Sequence, residues 1–350
     1  MKEKILSFLI FLCSSNISNA QSPKIAVVRP DGTTYICPTW DSAYKKAAND
    51  DNIYLPGGTF LVTNMIGKRL NIYGAGFNED SSRATGITKM NPITFLAGSE
   101  YGSIEGIAFN TTSCIESSIT FGLPSYLNPI SNFTISNCFL SSGINFTSPC
   151  TNILIKNNYI GGYNCNNGGA KTSFGEKLSN SLISNNIITG GFNVIDAANL
   201  QINNNIFFFA QDFYYLPLAN NSSYNNNITL SGTSTVANSN FNNNANVSPN
   251  GSGNLIFNHV YESFDSSFVN PGPNSSGKYY YDSHNNYHIR PSSLCKNSGT
   301  DGTDRGIYGG TYPWKDGSAP SNPHIYFKQI APQSNNNGLL QVQFKVRTGN

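Results

Sequence analysis

The chain has 350 residues, a formal net charge of +2 and 11% charged residues, under half of the usual fraction of about 25%. This near-neutral balance gives no electrostatic footprint for nucleic acid or for an anionic membrane surface, while 38% hydrophobic residues suffice for a core and exclude charge-driven disorder. Abundant asparagine, 32 glycines and 17 prolines disfavour long helices, so the composition predicts a β-rich, turn-rich protein.

The N-terminus has the pattern of an export signal. Two lysines precede an apolar run over residues 5–12, and small residues stand three and one positions before Gln21. We therefore predict a secretory signal peptide over residues 1–20. The apolar run is shorter than the ~20 residues that span a bilayer, and no later run is long enough. The prediction is a secreted or cell-surface protein without a transmembrane segment.

Six cysteines follow the predicted signal: Cys37, Cys114, Cys138, Cys150, Cys165 and Cys295. An oxidising destination permits disulfide bonds, and six cysteines allow 15 complete pairings. Their spacing contains no Cys-x-x-Cys pair, which gives no support to metal or redox chemistry. We expect buried thiols with one bridge at most, no metal site and no cofactor.

A short helix is predicted ahead of the main body of the chain. It covers residues 41–49, with Asp41 as the N-cap and alanines on one side. Strands are predicted over residues 53–55 and 59–62, on either side of a Pro-Gly-Gly turn. An amphipathic helix over the open end of a stacked β core protects that end from pairing with another chain.

A nine-residue pattern recurs through the middle of the chain. Each copy has an asparagine, an isoleucine three residues later, a second asparagine and an apolar end. The clear copies occupy residues 132–140, 152–160, 180–188 and 199–207, and weaker copies start at Asn221 and Asn254. The alternation around the isoleucine is the period of a strand with one buried face. A unit of about 20 residues cannot bury that face alone, so successive units must stack into a solenoid.

Asparagine at the same turn position of successive coils predicts a ladder of stacked amides. Neighbouring strands lie about 4.8 Å apart, so identical side chains fall above one another and each amide can hydrogen-bond to the next. The candidates are Asn137, Asn157, Asn185, Asn204 and Asn226. Asparagine also tolerates the left-handed backbone of a tight turn. We favour this structural role over the alternative that the asparagines line a binding groove.

Two segments carry a resemblance to a known family. Residues 43–62, followed by Leu-Asn-Ile-Tyr-Gly-Ala-Gly at residues 70–76, resemble the N-terminal cap and first coils of secreted right-handed parallel β-helix proteins of the pectate-lyase-like superfamily. Residues 286–310 resemble the choice-of-anchor Q type end of bacterial surface β-helix proteins. The usual Ser-Pro-Ala-Ile/Asp-Ala-Gly and Asp-Ile-Gly stretches are here Ser-Ser-Leu-Cys-Lys-Asn-Ser-Gly and Asp-Arg-Gly.

The resemblance implies an all-β fold: a right-handed parallel β-helix solenoid with a short N-terminal capping helix and a short C-terminal β tail. It also implies that His288, Asp301 and Asp304 belong to a structural terminal motif. The fold carries lyases, hydrolases, adhesins and non-catalytic binders, so it does not select an activity.

The last part of the chain is predicted as a separate tail. A Ser-Ala-Pro-Ser-Asn-Pro linker is followed by two alternating runs near residues 325–327 and 339–346, which predict a pair of strands. The predicted domains are therefore a signal peptide over residues 1–20, a β-helix with its cap over residues 21–315, and a linker with a β-strand tail over residues 316–350.

The central coils are poor in the residues that catalysis needs. A pectate-lyase-like enzyme needs an Arg or Lys base and Ca²⁺ held by several carboxylates, and glycosidases need two carboxylates on one face. Between residues 106 and 258 the sequence has four acids, three lysines, and neither arginine nor histidine. The catalytic candidates are Lys171, Glu176, Lys177, Asp196 and Asp212, although exposed solvated charges are the favoured interpretation for each.

Tyrosines in long insertions give a second kind of candidate site. Flat amphipathic rings on loops can stack on sugar rings, whereas consecutive aromatics in a strand point alternately in and out, so half of each run belongs to the core. The carbohydrate-binding candidates are Tyr214, Tyr215 and Tyr280. Local packing of the loops is the competing interpretation.

These features lead to the hypothesis of an exported, monomeric β-helix protein with a binding or structural role at an extracellular polysaccharide. The alternative is a polysaccharide lyase or glycoside hydrolase that acts on an extracellular glycan. A third interpretation is an adhesin or ice-binding scaffold, and the repeats lack the flat threonine arrays that ice binding favours.

Overall fold

Parallel strands stacked in register form most of the protein. The computed structural model describes residues 24–109, 117–124, 128–161, 164–165, 169–170, 177–189, 198–208, 220–235, 239–250, 252–272, 281–321 and 323–347. They fold as a right-handed parallel β-helix, which confirms the predicted fold class. The predicted signal peptide over residues 1–20 lies outside the described residues.

The longest sheet has twelve strands, and all of its pairs beyond the N-terminal cap are parallel. In order across this sheet the strands are Thr34–Cys37, Ile25–Val28, Asp51–Tyr54, Leu70–Tyr73, Ser103–Glu105, Thr134–Ser136, Leu154–Lys156, Leu182–Ser184, Gln201–Asn203, Ser223–Asn225, Asn240–Asn242 and Leu255–Phe257.

A second long sheet has nine parallel strands and forms another wall of the β-helix. Its strands, in order, are Gly58–Phe60, Thr88–Met90, Ala108–Phe109, Phe139–Leu140, Tyr159–Ile160, Ile187–Ile188, Ile206–Phe207, Ile228–Thr235 and Ala245–Asn250. Two short parallel sheets complete the coils, with strands Ile93–Phe95, Ile119–Phe121 and Ile144–Phe146 in one, and Ile130–Ser131, Cys150–Thr151 and Leu178–Ser179 in the other.

Within the described residues, three antiparallel strand pairs besides those of the N-terminal cap, and three short helical segments, lie outside the coils. The strand pairs are Asn164–Cys165 with Gly169–Ala170, Phe268–Asn270 with Asn286–Ile289, and His324–Ile330 with Val342–Arg347. The helical segments are α1 (Trp40–Lys46), α2 (Phe264–Ser267) and a 3₁₀ turn at Asp316–Ser318. No described helix is long and apolar enough to cross a membrane.

The central isoleucine of each repeat points into the β-helix. Register places these residues directly above one another, and each is 0–2% exposed. The inward column consists of Ile53, Ile72, Ile104, Ile135, Ile155, Ile183, Ile202, Tyr224 and Phe241. Burial of one such side chain stabilises the fold by about 1.5–3 kcal/mol, so the repeat pattern itself supplies the core.

Left-handed asparagines turn the chain at both ends of five consecutive strands of the twelve-stranded sheet, from Thr134–Ser136 to Ser223–Asn225. Asn152 (φ 56°) precedes the strand Leu154–Lys156, and Asn157 (φ 57°) follows it. Positive φ values also occur at Asn132, Asn137, Asn180, Asn185, Asn199, Asn204, Asn221 and Asn226. Asparagine adopts this conformation more readily than most residues, and this part of the sequence prediction is confirmed.

The amide ladder lies one residue after the predicted positions. It is formed by Asn158, Asn186, Asn205, Asn227 and Asn244, each 0–1% exposed. The Nδ2 of each of the first four donates to Oδ1 of the next amide at 2.9–3.1 Å. The same oxygen also accepts the backbone N–H of the previous asparagine, at 2.9 Å in every coil.

The predicted ladder positions have a different role. Of the five, Asn226 and Asn204 are the pair for which the described coils show an amide contact, with Nδ2 and Oδ1 3.5 Å apart. In a straight strand Asn157 would point inward like Ile155, two residues earlier. The left-handed bend at Asn157 breaks that alternation, so that the side chain of Asn158 points into the interior instead.

The predicted asparagines hold a segment that runs back along the coils. We call residues 295–321 the return segment. Asn157 Nδ2 donates to the carbonyl oxygen of Tyr312 at 2.9 Å, and Asn226 Oδ1 accepts the backbone N–H of Thr300 at 2.9 Å. Asn243 reaches Ser298 in the same way. The return segment therefore covers successive coils in reverse order.

Asn185 offers a direct test of this attachment. Its Nδ2 donates to the carbonyl oxygens of Ile307 at 2.9 Å and Gly309 at 2.7 Å, while its φ of 57° suits glycine. Asn185→Gly is expected to lower the free energy of unfolding by about 1–3 kcal/mol, since two carbonyls lose their buried donor. Denaturant titration measures this, and the amides of residues 306–310 should exchange faster with solvent.

Asn180→Gly is the matched control for that substitution. Asn180 is also left-handed, with φ 48°, but exposed, and its Nδ2 contacts Thr151 Oγ1 at 3.3 Å. Both variants gain the same unfolded-state freedom from glycine. Equal losses in the two variants would contradict an anchoring role for the Asn185 amide.

A second apolar core lies on the outer face of the nine-stranded sheet. The two apolar residues at the end of each repeat point to opposite sides: Ile188 faces the interior column, and Ile187 faces outward, yet both are 0% exposed. The outward column is Ala108, Phe139, Tyr159, Ile187, Ile206, Ile228 and Ala245. It is covered by Phe264, Phe268, Tyr287, Ile289, Cys295, Ile307 and Trp314.

The N-terminal cap is shifted slightly from its predicted position. The helix α1 begins at Trp40, and the N-cap is Thr39 rather than Asp41: the Thr39 side chain accepts from the Ser42 N–H, and Ser42 Oγ accepts from the Thr39 N–H. This reciprocal capping box satisfies two donors of the first turn. Asp41 instead accepts a hydrogen bond from Thr63 Oγ1.

Four cysteines are buried and free: Cys37, Cys138, Cys150 and Cys295. Burial raises the pKa of the last three thiols to about 12, so they stay protonated at neutral pH. Cys114 and the side chain of Cys165 lie outside the described residues.

Candidate functional site

Most of the predicted site residues lie outside the described part of the chain. They are the catalytic candidates Lys171, Glu176, Asp196 and Asp212 and the carbohydrate-binding candidates Tyr214, Tyr215 and Tyr280. Lys177 is described, and its ammonium group donates to the carbonyl oxygen of Thr147 at 3.2 Å. This contact ties Lys177 to the preceding coil, and the remaining residues stay predictions.

An acid and a lysine do share one outward column of the twelve-stranded sheet, but the return segment covers both. Glu105 is 5% exposed and accepts hydrogen bonds from Ser321 N at 2.6 Å and Ser321 Oγ at 2.8 Å. The ammonium of Lys156 lies 4.5 Å from the ring centre of Tyr312, and burial lowers its pKa. Glu105 and Lys156 therefore fix the return segment and do not form an open catalytic pair.

An open groove lies on the other long sheet. It is made of two adjoining cavities of about 330 Å³ and 230 Å³, which share Asn78, Tyr281 and Ser283. The larger cavity is lined by Phe77, Asn78, Glu79, Asp80, Ile87, Lys89, Ala108, Phe139, Tyr281, Ser283 and His284. The smaller cavity adds Asp282, Asn285, Asn286, Tyr287, His288, Tyr308, Trp314 and Asp316 among others. We call this feature the groove.

Stacked aromatic rings support the floor of the groove. Phe139 and Tyr159 belong to the outward column of the nine-stranded sheet, with ring centres 4.5 Å apart and planes at 17°. Tyr281 stacks on Tyr159 at 4.4 Å, and Phe77 packs against Phe139 at 6.0 Å. The coil repeat therefore fixes the position of Tyr281, which comes from a distant part of the sequence.

The buried phenols of this stack are uncharged. Burial raises the pKa of both Tyr159 and Tyr281, and Tyr287 is raised by the same cause to about 12. Tyr159 Oη lies 3.0 Å from Thr189 Oγ1. Because a general base needs a pKa near the operating pH, these tyrosines are suited to packing and hydrogen bonding.

One wall of the groove carries a histidine between two carboxylates. His284 Nδ1 lies 2.7 Å from Asp282 Oδ1, and His284 Nε2 lies 3.7 Å from Asp80 Oδ2. Hydrogen bonds from the backbone and then the ring of His284 lower the pKa of Asp282, and the bond to Asp282 raises the pKa of His284. Asp282 is therefore a carboxylate that accepts hydrogen bonds at neutral pH.

A second polar cluster of the groove is built around Asp316. Tyr308 Oη donates to Asp316 Oδ1 at 2.8 Å, and His288 Nε2 lies 3.3 Å from the same oxygen. The rings of His288 and Tyr308 stack with centres 3.7 Å apart and planes at 16°. Burial, followed by the bond to Asp316, raises the pKa of Tyr308.

The residues of the predicted terminal motif are spread over the return segment and the groove wall. Asp304 accepts from Lys296 Nζ at 2.8 Å and from the Asn297 N–H at 2.9 Å. Asp301 accepts the Thr303 N–H at 3.0 Å. These two acids close local turns, whereas His288 lines the groove.

The groove combines flat apolar rings with hydrogen-bonding edges. This arrangement suits a ligand that has both an apolar face and hydroxyl groups around its rim. Among the described residues, no group of three His, Cys, Asp or Glu side chains is placed to hold a metal ion. Sequence reasoning came near the groove through the tyrosine run at residues 279–281 and through His288 of the predicted terminal motif, but it did not indicate that these residues line one cavity.

Comparisons with known proteins give little further information. No family model and no curated protein matches the chain. Among solved structures, the chain is similar to the Streptococcus pneumoniae surface protein and adhesin PfbA, at 14% sequence identity and a TM-score of 0.28. The alignment covers 60% of this chain and 87% of that chain. A similarity at this level says nothing about the ligand of the groove.

Proposed function

We propose that this protein is exported and binds an uncharged polysaccharide outside the cell, with the groove as the binding site. The observation that carries the proposal is the line of aromatic side chains, Phe77, Phe139 and Tyr281, that faces the larger cavity between polar walls. Sugar rings present apolar C–H faces to such aromatic surfaces, and their hydroxyl groups bond to amides and carboxylates at the edges.

The charges around the groove favour a neutral polymer over a polyuronate. The lining contains the acids Glu79, Asp80, Asp282 and Asp316, against Lys89 and the two histidines. Like charges brought together on binding cost free energy. A polymer with a carboxylate on every sugar would meet this acidic lining, whereas a neutral glycan would not.

Binding is tested by affinity electrophoresis and calorimetry with neutral glucans, mannans, xylans and galactans, and with polygalacturonate for comparison. Tyr281→Ala removes a ring of the floor, and we expect an affinity about tenfold lower or worse, the effect of roughly 1.4 kcal/mol of lost stacking. Tyr281→Phe keeps the ring and should keep most of the affinity.

Tyr54→Ala is the matched control. Tyr54 is a partly exposed tyrosine on the twelve-stranded sheet, and it stacks on Tyr73 with ring centres 5.2 Å apart. Its loss should leave binding unchanged. Failure to bind any neutral polymer, tighter binding to polygalacturonate, or an equal loss in Tyr54→Ala would each reject the groove as a neutral-glycan site.

Hydrolysis is measured in the same samples, because Asp282 and Asp316 both line the smaller cavity. Glycosidases need a carboxylic acid of raised pKa as the proton donor, and the pKa of Asp282 is lowered. We therefore expect no release of reducing ends. Release of reducing ends that Asp282→Asn and Asp316→Asn abolish would replace binding by glycoside hydrolysis as the function.

A further inference from the structure

The buried amide ladder gives way to a histidine in the last coil, which is the coil of the strand Leu255–Phe257. Asparagines occur in tandem at residues 157–158, 185–186, 204–205, 226–227 and 243–244, and the second member of each pair belongs to the ladder. In the last coil Asn258 is followed by His259 instead. Asn258 has a φ of 50°, close to the 52° of Asn243. The chain therefore makes the same left-handed bend before His259 as before each ladder amide.

Register places His259 on the last amide of the ladder. Val260 forms a parallel bridge with Ala245, and its N–H donates to the Asn244 carbonyl oxygen at 3.2 Å. Ala245 bonds to Asn227 in the same way one coil earlier. The residues one position earlier stack likewise, so His259 lies directly on Asn244. Here the earlier coils place an amide oxygen against the backbone N–H of the preceding coil, and an imidazole ring takes its place.

The imidazole at this position is enclosed. Both ring nitrogens of His259 are buried, although the residue as a whole is half-buried. The ring packs edge-on against Phe241, with ring centres 6.5 Å apart and planes at 77°, and Phe241 is 0% exposed. Burial disfavours the charged form of a titratable group, because the charge loses its hydration. The neutral ring is therefore the form that fits the closed coil.

Arg305 of the return segment adds a positive charge beside this ring. Its Nη1 donates at 3.0 Å to the carbonyl oxygen of Asn244, the residue on which His259 stacks. Its Nη2 donates at 3.3 Å to the carbonyl oxygen of Asn258, the residue before His259. A like charge nearby further disfavours protonation of the imidazole. The same guanidinium also joins the last coil to the return segment, so the two are coupled.

The other titratable groups around the last coil are held by their own contacts. Residues 239–250, the coil beneath, contain none. On the coil of His259 itself, Tyr261 is 66% exposed. Glu262 attracts Arg305, while its carboxylate accepts hydrogen bonds from a serine hydroxyl at 2.7 Å and a backbone N–H at 3.1 Å. Burial keeps the thiol of Cys295 protonated. The acids of the return segment that close local turns are Asp301 and Asp304.

We propose that His259 makes the end of the β-helix acid-sensitive: the neutral ring closes the last coil, and protonation of the ring opens that coil and frees the return segment at Arg305. A histidine in the opened coil takes up a proton near pH 6.5, whereas the closed coil disfavours the charge. Closure is therefore fully stable above about pH 6.5 and is progressively lost as the pH falls below that value. This device does not depend on what the groove binds.

Hydrogen exchange of the full chain tests the proposal at about pH 7.5 and about pH 5.5, on either side of the ordinary histidine value. Protection factors, which are corrected for the intrinsic effect of pH on exchange, report how often the coil opens. The N–H of Asn243 bonds to the last coil at Phe257, and that of Asn246 bonds to it at Val260. Uptake of one proton predicts about tenfold lower protection of these two amides at the lower pH.

His259→Asn restores the tandem asparagines and continues the ladder by one amide. In this variant the protection of both amides should differ by less than about twofold between the two pH values, since no group titrates at the coil end. His324→Asn removes a histidine of the strand His324–Ile330, outside the coils, and should keep the full tenfold effect. A tenfold effect that persists in His259→Asn, or one that is absent from the unaltered chain, would overturn the proposal.

Nuclear magnetic resonance of the histidine rings gives a second measurement, which needs no variant to fold. In the unaltered chain, protonation of His259 should accompany the loss of protection at Asn243 and Asn246. A ring that takes up its proton near pH 6.5 while both amides stay protected would show that the closed coil accommodates the charge, and it would refute an acid-sensitive closure.

Discussion

Replacement of Asn205 by alanine is expected to lower the free energy of unfolding by about 4 kcal/mol, because a buried amide with bonds to two neighbouring coils is lost. Asn205 Nδ2 donates to the Ile183 carbonyl oxygen at 2.9 Å and to Asn227 Oδ1 at 3.0 Å. Asn205 Oδ1 accepts the N–H and the Nδ2 of Asn186. Alanine leaves the buried N–H of Asn186 without its acceptor.

The control for this substitution lies two residues away in the same coil. Asn203 points outward and accepts from Asn225 Nδ2 at 3.0 Å, in partial contact with solvent. Asn203→Ala should cost no more than about 1 kcal/mol, since water replaces the lost bond. Urea denaturation followed by circular dichroism measures both variants. A similar loss of stability in the two variants would show that the inner ladder contributes no more to stability than an outward amide contact.

Arg305→Met is expected to release the return segment from the last coils and to lower the free energy of unfolding by about 2–4 kcal/mol. Arg305 is 3% exposed. Its Nη1 donates to the Asn244 carbonyl oxygen at 3.0 Å, and its Nη2 donates to the Asn258 carbonyl oxygen at 3.3 Å. Its Nε donates to Ser298 Oγ at 2.8 Å. Methionine fills much of the same volume but donates to none of these oxygens.

Hydrogen exchange distinguishes release of the return segment from a general loss of stability. The N–H of Arg305 bonds to the Cys295 carbonyl oxygen, and the N–H of Gly306 bonds to the Asn226 carbonyl oxygen, so both amides should lose protection in Arg305→Met. Protection in the first coils should change less. The control is Arg83→Met, at a side chain that is 78% exposed in its ion pair with Asp80, which should cost about 0.5 kcal/mol or less. Unchanged protection at residues 305–306 would contradict the anchoring role of Arg305.

The fold was predictable because the sequence of each repeat indicates which of its residues are buried. The central isoleucine, the flanking asparagines and the apolar end recur in the four clear copies, and stacking places each above its counterpart in the next coil. The position of the amide ladder was harder to predict from the sequence. Asparagines occur in tandem at residues 157–158, 185–186, 204–205 and 226–227, so both columns have the same period. The left-handed bend between them decides which one points inward, and period alone does not reveal that bend.

The groove was beyond sequence reasoning for a different reason. Its walls come from residues 77–89 and 281–318, which are about 200 residues apart and lie outside the nine-residue repeat. The apolar pair that ends each repeat, such as Ile187-Ile188, indicated burial but not that one member lies under a second layer. Tyr281 was passed over for its neighbour Tyr280, since a run of three tyrosines does not show which ring packs on the coil.

The reverse path of the return segment changes how this solenoid unfolds. Coils that contact only their neighbours can fray one at a time from an end. Here a single stretch bonds to Asn243, Asn226, Asn185 and Asn157 in turn and ends at Glu105. Because residues far apart in the sequence must separate together, the coils from Glu105 to Asn243 lose their independence. We expect these coils to unfold as one cooperative unit, with folding slowed by contacts of long sequence separation.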